Sequence, residues 1–195
     1  MYVMPGHPQS RQPNPMTFTV HCGCTQLTTT VTDWLESYGL QQDDQATCMV
    51  ILDSPAGFAL RTLETHPAPS PRHVIVTRQS CAEYLLDLSE YGPSILVVGA
   101  DAPLSQIPPE ILAHPKHHGV PNVLRSRLTR SQRRLLRYVA HGWSDRTIAR
   151  YLSLQPRTVM NRISEILAIL GVSNRTALAL YYWGIPPLRC ADVEQ

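Results

Sequence analysis

LTRSQRRLLRYVAHGWSDRTIARYLSLQPRTVMNRISEILAILGVSNRTALALYYWG, residues 128–184, decides the fold of the C-terminal half. Start and stop signals cut it into four helices. Thr129 and Gln132 have capping-box spacing at the start of the first. Gly142 is placed to end that helix, because glycine takes the left-handed conformation at little cost. Ser144 caps a short second helix running through Leu152. Three residues later, Pro156 falls in the first turn of a third helix, where its missing N–H does no harm. Gly171 ends this helix, and Asn174 caps a fourth. Two short helices joined by a tight turn are what a DNA-reading helix-turn-helix requires.

In the third helix, Val159, Ile163, Ile166 and Leu170 recur at helical spacing and form one apolar face. The opposite face presents Arg157, Asn161, Ser164 and Ala168, with Thr158, Met160 and Arg162 on its flanks. Such a narrow, mostly polar edge suits a major groove about 12 Å wide. The plain alternative is an ordinary solvated helix face.

The segment resembles the C-terminal domain of LuxR/NarL-type bacterial transcription regulators. The residues that carry the resemblance are Leu128-Thr129, Gly142 with Ser144, Ile148-Ala149, Leu152, Thr158-Val159, Asn161, Ile166, Leu170-Gly171-Val172 and Asn174-Arg175-Thr176. The resemblance implies a four-helix domain that binds double-stranded DNA, usually as a dimer. The outward face and the arginines make Arg146, Arg157, Thr158, Met160, Asn161, Arg162, Ser164 and Arg175 the candidate DNA contacts, and the resemblance implies dimerisation through the fourth helix, at Leu178, Tyr181 and Tyr182. Three positions depart from the family pattern. Met160 stands where a lysine is usual, Arg162 where a histidine is frequent, and Gln132 where a glutamate opens the first helix. Glutamine still completes a capping box, so the first two bear on which DNA sequence is read.

The 195 residues suit one or two small domains. No run approaches the roughly 18 apolar residues of a membrane span. The N-terminal MYVMPGHPQSRQPNP lacks the apolar core of a signal peptide. These features lead to the expectation of a cytoplasmic protein with a disordered tail over 1–15. The net charge of +2 conceals a division: residues 125–195 carry +8, all of the basic side chains being arginine, and residues 1–124 carry −6. A basic module beside an acidic one points to nucleic-acid binding by the first. Arginine suits bidentate contacts to phosphate and guanine.

The N-terminal half alternates strands and helices. TFTVHC at 17–22 reads as a strand, and Leu27, Val31, Trp34, Leu35 and Tyr38 mark an amphipathic helix closed by Gly39. Cys48–Leu52 is the continuous apolar run of a buried parallel strand, with Asp53 at its end. Phe58, Leu60 and Leu63 suggest a short helix, and Val74–Thr77 another strand. Ser80 and Glu83 have capping-box spacing for a helix through Tyr91, and Ile95–Val98 is a further strand. The order predicts a small α/β domain with a parallel sheet.

This half resembles the receiver domain of two-component response regulators. Asp53 matches the phosphate-accepting aspartate, and Thr77 the hydroxyl residue that ends the fourth strand. The departures are substantial. His21-Cys22 occupies the place of the acidic pair that holds magnesium, and the usual lysine falls at Gly99 or Ala102. One strand–helix unit is missing between Leu40 and Cys48. Without the acid pair no hard divalent cation is held beside Asp53, and without the lysine nothing evident compensates an added phosphoryl charge. Asp53 therefore reads as a vestigial phosphoacceptor, with two options open: a surviving phosphorylation site, or a strand-end carboxylate kept by solvation or a cap.

The five cysteines lack a secretory framework. His21-Cys22-Gly23-Cys24 has no second ligand pair at zinc spacing, so reduced structural thiols are expected and no metal. The histidines of HPKHH at 114–118 lie too close together to define a site. No acid–base pair, nucleophile constellation or phosphate loop points to an enzyme, and no cofactor is implied.

The expected organisation is a tail (1–15), a degenerate receiver-like α/β domain with an incomplete parallel sheet (16–102), a linker with a short helix near Ile111 (103–124), an all-α four-helix helix-turn-helix domain (125–186) and a tail (187–195). The expected function is sequence-specific DNA binding in transcription regulation, independent of phosphorylation, by a homodimer or a heterodimer with a related regulator. The alternative is an auxiliary regulator that acts mainly by dimerising with another LuxR/NarL-type protein. Met160 in place of lysine favours the alternative.

Overall fold

The computed structural model describes residues 16–65, 72–93, 95–98 (backbone path) and 125–185. The expected tails, the 103–124 linker with its helix near Ile111, HPKHH, Cys190, Gly99 and Ala102 lie outside these residues. The sheet unit runs β1 (Thr17–His21), α1 (Thr25–Ser37), β2 (Gln41–Gln42), β3 (Cys48–Leu52), α2 (Phe58–Thr65), β4 (Arg72–Thr77), α3 (Ala82–Ser89) and β5 (Ile95–Val98). Its five strands are parallel in the order β2-β1-β3-β4-β5. The helical unit follows as α4 (Arg130–Ala140), α5 (Asp145–Leu152), α6 (Pro156–Leu170) and α7 (Arg175–Tyr182).

Strand alternation sorts the core. Phe18, Cys48, Val50, Leu52 and Val74 pack with Val31 and Leu35 of α1. Ile51 and Ile75 point the other way, to Leu60 and Leu63 of α2 and Tyr84, Leu85 and Leu88 of α3. That second layer is continuous with the bundle core of Leu135, Leu136, Val139, Ile148, Val159, Ile163, Ile166, Leu178 and Tyr182. The sheet unit and the bundle thus share one apolar interior.

The unit expected to be missing before Cys48 is half present: its strand survives as β2, and its helix does not. Gln42 and Cys48 both stand in register with Phe18, so the chain crosses beneath β1 in the five residues between them. The Asp43 N–H donates to the Phe18 carbonyl at 3.1 Å, and the Thr47 N–H and hydroxyl donate to Thr17 at 3.1 and 3.2 Å. With no helix over that corner, the face of β1 opposite Phe18 is only partly covered, and its residues are the polar Thr17, Thr19 and His21.

Local signals in the bundle act as the sequence dictates. Thr129 and Gln132 form the reciprocal capping box, Ser144 accepts from the Thr147 N–H, and Asn174 accepts from the Ala177 N–H. Gly171 is left-handed at φ 71°, and Pro156 opens α6. The expected capping box at Ser80 and Glu83 is corrected. The N-cap of α3 is Cys81, without a side-chain cap bond, and the helix ends at Ser89 rather than Tyr91. Glu83 turns inward because stronger partners wait there. Among the described residues no single helix is long and apolar enough to cross a membrane. Only α6 and α7 together pass on length and composition, across a 63° bend.

Candidate nucleic-acid interface

Burial of Val159, Ile163, Ile166 and Leu170 fixes how α6 is rolled against the bundle. Arg157, Met160, Asn161, Ser164 and Ala168 are consequently exposed, with Thr158 half-buried. Met160 is 55% exposed, a large apolar side chain among polar ones. The Ser164 hydroxyl donates back to the Met160 carbonyl at 3.1 Å, leaving its lone pairs free to accept. Arg146 on α5 is exposed. Arg162 sits apart from this set. It lines a cleft with Thr129, Ser131, Gln132 and Glu165, against the start of α4.

Arg175 has a different task from the one expected. Its guanidinium donates to Asp145 and to the Trp143 carbonyl, so it braces the start of α5 against α7. Leu178 and Tyr182 are fully buried, and Tyr181 is half-buried with its hydroxyl engaged. All three expected dimer residues are thus spent inside the chain in this structure, Tyr181 and Tyr182 on the sheet unit.

That engagement was not anticipated from sequence. Glu83 and Asp87, one turn apart on α3, are only 2% and 1% exposed. Asp87 accepts from Arg137 Nε at 3.0 Å and from the Tyr182 hydroxyl at 2.6 Å. Glu83 accepts from Tyr181 and Ser126 hydroxyls, both at 2.8 Å. Glu90 pairs with Arg133 at 3.0 Å and Arg130 at 3.1 Å, and Glu64 pairs with Arg137 at 3.1 Å. Burial by itself disfavours the Arg137 charge, but Asp87 beside it reverses that and raises its pKa. Burial, with Asp87, also pushes the Tyr182 phenol far up. The signal was present in the sequence: Glu83, Asp87 and Glu90 repeat at helical spacing, as do Arg130, Arg133 and Arg137.

Trp183 completes the joint. Its indole N–H donates to the Ala140 carbonyl at 3.0 Å. A Cβ on Gly57 would come within 2.6 Å of its ring, and Gly57 is left-handed at φ 84°. The ring also lies 5.8 Å from Tyr84, 5.0 Å from Tyr182 and 5.3 Å from His141.

At the carboxyl end of the sheet, Asp53 is not an open carboxylate. Oδ1 accepts from the Ala59 N–H at 3.0 Å, and Oδ2 from the Thr77 hydroxyl at 2.7 Å and the Tyr84 hydroxyl at 2.8 Å. Tyr84 is fully buried, and burial, with the Asp53 charge, raises its phenol pKa far above the usual value. Cys22 and Cys24 are free thiols. Cys22 donates to the Ser54 carbonyl and accepts from the Cys24 N–H, both at 3.3 Å.

Residues 126–182 match the family model described as bacterial regulatory proteins, luxR family. Over 116 residues the chain is 34% identical to the uncharacterized transcriptional regulatory protein YhcZ of Bacillus subtilis (strain 168). That match covers 56% of this chain and 54% of the relative, so the chain spans about half the length of the curated protein it matches. Among solved structures, RcsB from Salmonella enterica serovar Typhimurium, bound to promoter rprA in the presence of phosphomimetic BeF3−, is similar in fold at a TM-score of 0.60. It is 19% identical and covers 87% of this chain and 98% of its own. A structure of two RcsB dimers bound to two parallel DNAs gives a TM-score of 0.58 at 19% identity, with coverage of 87% and 99%. The shared architecture is a parallel α/β unit followed by a LuxR-type helix-turn-helix.

Proposed function

We propose that this chain, whose residues 126–182 form a LuxR-family helix-turn-helix domain, is a sequence-specific DNA-binding transcription regulator. The observation that carries the reading is the exposure of Arg157, Asn161, Ser164 and Ala168 on one face of α6 while the bundle is docked on the sheet unit. α6 reads the major groove, and exposed Arg146 on α5 grips phosphate. The similarity to a protein described as a transcriptional regulatory protein, and to RcsB structures with DNA, supports the same class. A role on chromosomal DNA places the protein in the cytoplasm.

Regulation is independent of phosphorylation. In support, both Asp53 oxygens already accept internal hydrogen bonds, and His21-Cys22 stands where receivers carry acids. The RcsB dimers on DNA make a homodimer or a heterodimer with a related regulator a reasonable assembly. Contact through Leu178, Tyr181 and Tyr182 would require the bundle to leave α3, since those side chains are committed there or to the core.

Selection from a pool of random duplexes with the purified full chain is the test. Enrichment of one motif, and its loss in an Arg157→Ala, Asn161→Ala variant, is expected. No enrichment, with no shift of any duplex at low salt, would favour the auxiliary, dimerising reading that exposed Met160 suggests. Incubation with acetyl phosphate and magnesium should leave the intact mass unchanged.

A further inference from the structure

We propose that Asp53 is a positioning residue for the joint between sheet and bundle: through Tyr84 it fixes Tyr182 and Trp183 at the end of α7. The residue at the acceptor position would then anchor the DNA-binding unit as a charged group, with no chemistry performed on it.

The path is short and made of named contacts. The Asp53 N–H donates to the Val76 carbonyl at 2.9 Å, which holds the residue in line with β4 beyond the end of β3. Its two oxygens then collect three donors from three elements: the Ala59 N–H in α2, Thr77 at the end of β4, and Tyr84 in α3. An ionised carboxylate accepts at both oxygens, and hydrogen bonds to a charged acceptor are the stronger ones. Tyr84 has no exposed surface, so a lost partner would leave a buried hydroxyl unpaired. Its ring meets Tyr182 edge-on at 5.5 Å and 84°, and Trp183 at 5.8 Å. The Trp183 ring in turn fills the space over Gly57, and Gly184 lies against Gln79, two residues past Thr77. Gln79 is itself held, its N–H donating to the Thr77 hydroxyl oxygen at 3.1 Å.

Two hydroxyls share one Asp53 oxygen, but it is the Tyr84 ring that packs on Tyr182 and Trp183, whereas Thr77 is linked to the bundle through Gln79. This asymmetry gives the test. In a Trp34→Phe, Trp143→Phe background, iodide quenching reports Trp183, and circular dichroism reports the fold. Asp53→Asn and Tyr84→Phe are each expected to raise the quenching constant several-fold with helical content retained, and the double variant should exceed neither single one by much, as for one coupled path. Thr77→Val removes the other donor to the same oxygen and the hold on Gln79, and should raise the quenching constant far less than Tyr84→Phe does. Tyr84→Phe keeps the ring and deletes only the hydroxyl, so it carries the decision if Asp53→Asn fails to fold. Unchanged quenching in Tyr84→Phe overturns the anchoring role. Equal rises in Thr77→Val and Tyr84→Phe also overturn it, because they indicate general loosening of the sheet end. Neither readout involves DNA, so the outcome is separate from that of the duplex selection.

Discussion

At the residue scale, the outward roll of α6 assigns different work to neighbouring side chains. Asn161 lies at the centre of the exposed face, where its amide can meet adenine N6 and N7. Arg157, one turn earlier, is placed for phosphate, and phosphate contacts position without specifying. Asn161→Ala should cost about 1–3 kcal/mol on the preferred duplex and little on random DNA. Arg157→Ala should weaken both and flatten the salt slope by about one. Equal losses on both duplexes for Asn161→Ala, measured by titration, would remove its base-reading role. These residues were legible because helical periodicity alone sets which way they face. His141 was not, since its burial comes from Trp183 and from the sheet unit. Burial lowers its pKa from 6.5; Glu64 acts the other way, Arg61 and Arg137 with burial, and Asp87 with Glu64. Its Nε2 has no hydrogen-bond partner among the described residues. A depressed folded pKa means that the unfolded chain takes up the proton first. This contribution is therefore absent above the unfolded value and destabilises as pH falls through it. Denaturant midpoints should drop from about pH 7 to about pH 5, and less so in His141→Phe. His73, whose pKa burial also lowers, adds to the drop. An unchanged drop in the variant would refute the assignment.

At the element scale, the helix ends of the bundle were readable and the partner of α3 was not. Caps such as Thr129–Gln132 and Asn174–Ala177 bridge three residues, so composition at fixed spacing reveals them. The joint pairs residues 40 to 98 apart in sequence, from Arg130 with Glu90 to Tyr181 with Glu83. The acidic stripe on α3 and the basic stripe on α4 are visible at helical spacing, but nothing local says that they face each other, so Glu83 fits a cap with Ser80 equally well. Burial decides which of these contacts matter. Arg130 has its side chain 78% exposed against Glu90, and such pairs contribute under about 1 kcal/mol. Asp87 is 1% exposed and accepts from Arg137 and Tyr182 together. Neutralising Asp87 leaves the nearly buried Arg137 with the more exposed Glu64 as its remaining carboxylate. Asp87→Asn should therefore lower the unfolding free energy by about 3–5 kcal/mol, while Arg130→Ala changes it little. Urea denaturation checks both, and similar small losses would mean that water reaches the joint.

At the scale of the whole molecule, the split of charge between the halves has two causes. The basic C-terminal part was read as a nucleic-acid footprint, and the acidic N-terminal part had no role assigned. The structure shows that part of each answers the other. Arg130, Arg133 and Arg137 meet Glu90, Asp87 and Glu64 across the joint. Arg175 is paired with Asp145, Arg127 donates to the Leu170 carbonyl, and Arg134 donates to Tyr138. Among the described residues Arg125, Arg146, Arg150, Arg157 and Arg162 are exposed and make no ion pair or side-chain hydrogen bond, so they are the arginines available to phosphate. Five phosphate contacts release counterions with a slope of log affinity against log salt near −4.5 per chain, at about −0.9 for each. A slope of that size or shallower is expected for the docked protein. Arg150→Ala should flatten it by about one. Arg137→Ala should lower stability and leave the slope where it was, because that guanidinium is held by Asp87 and Glu64. A slope much steeper than this, falling back in Arg130→Ala and Arg137→Ala, would mean that the bundle leaves the sheet unit when it meets DNA and turns its inward arginines to the duplex.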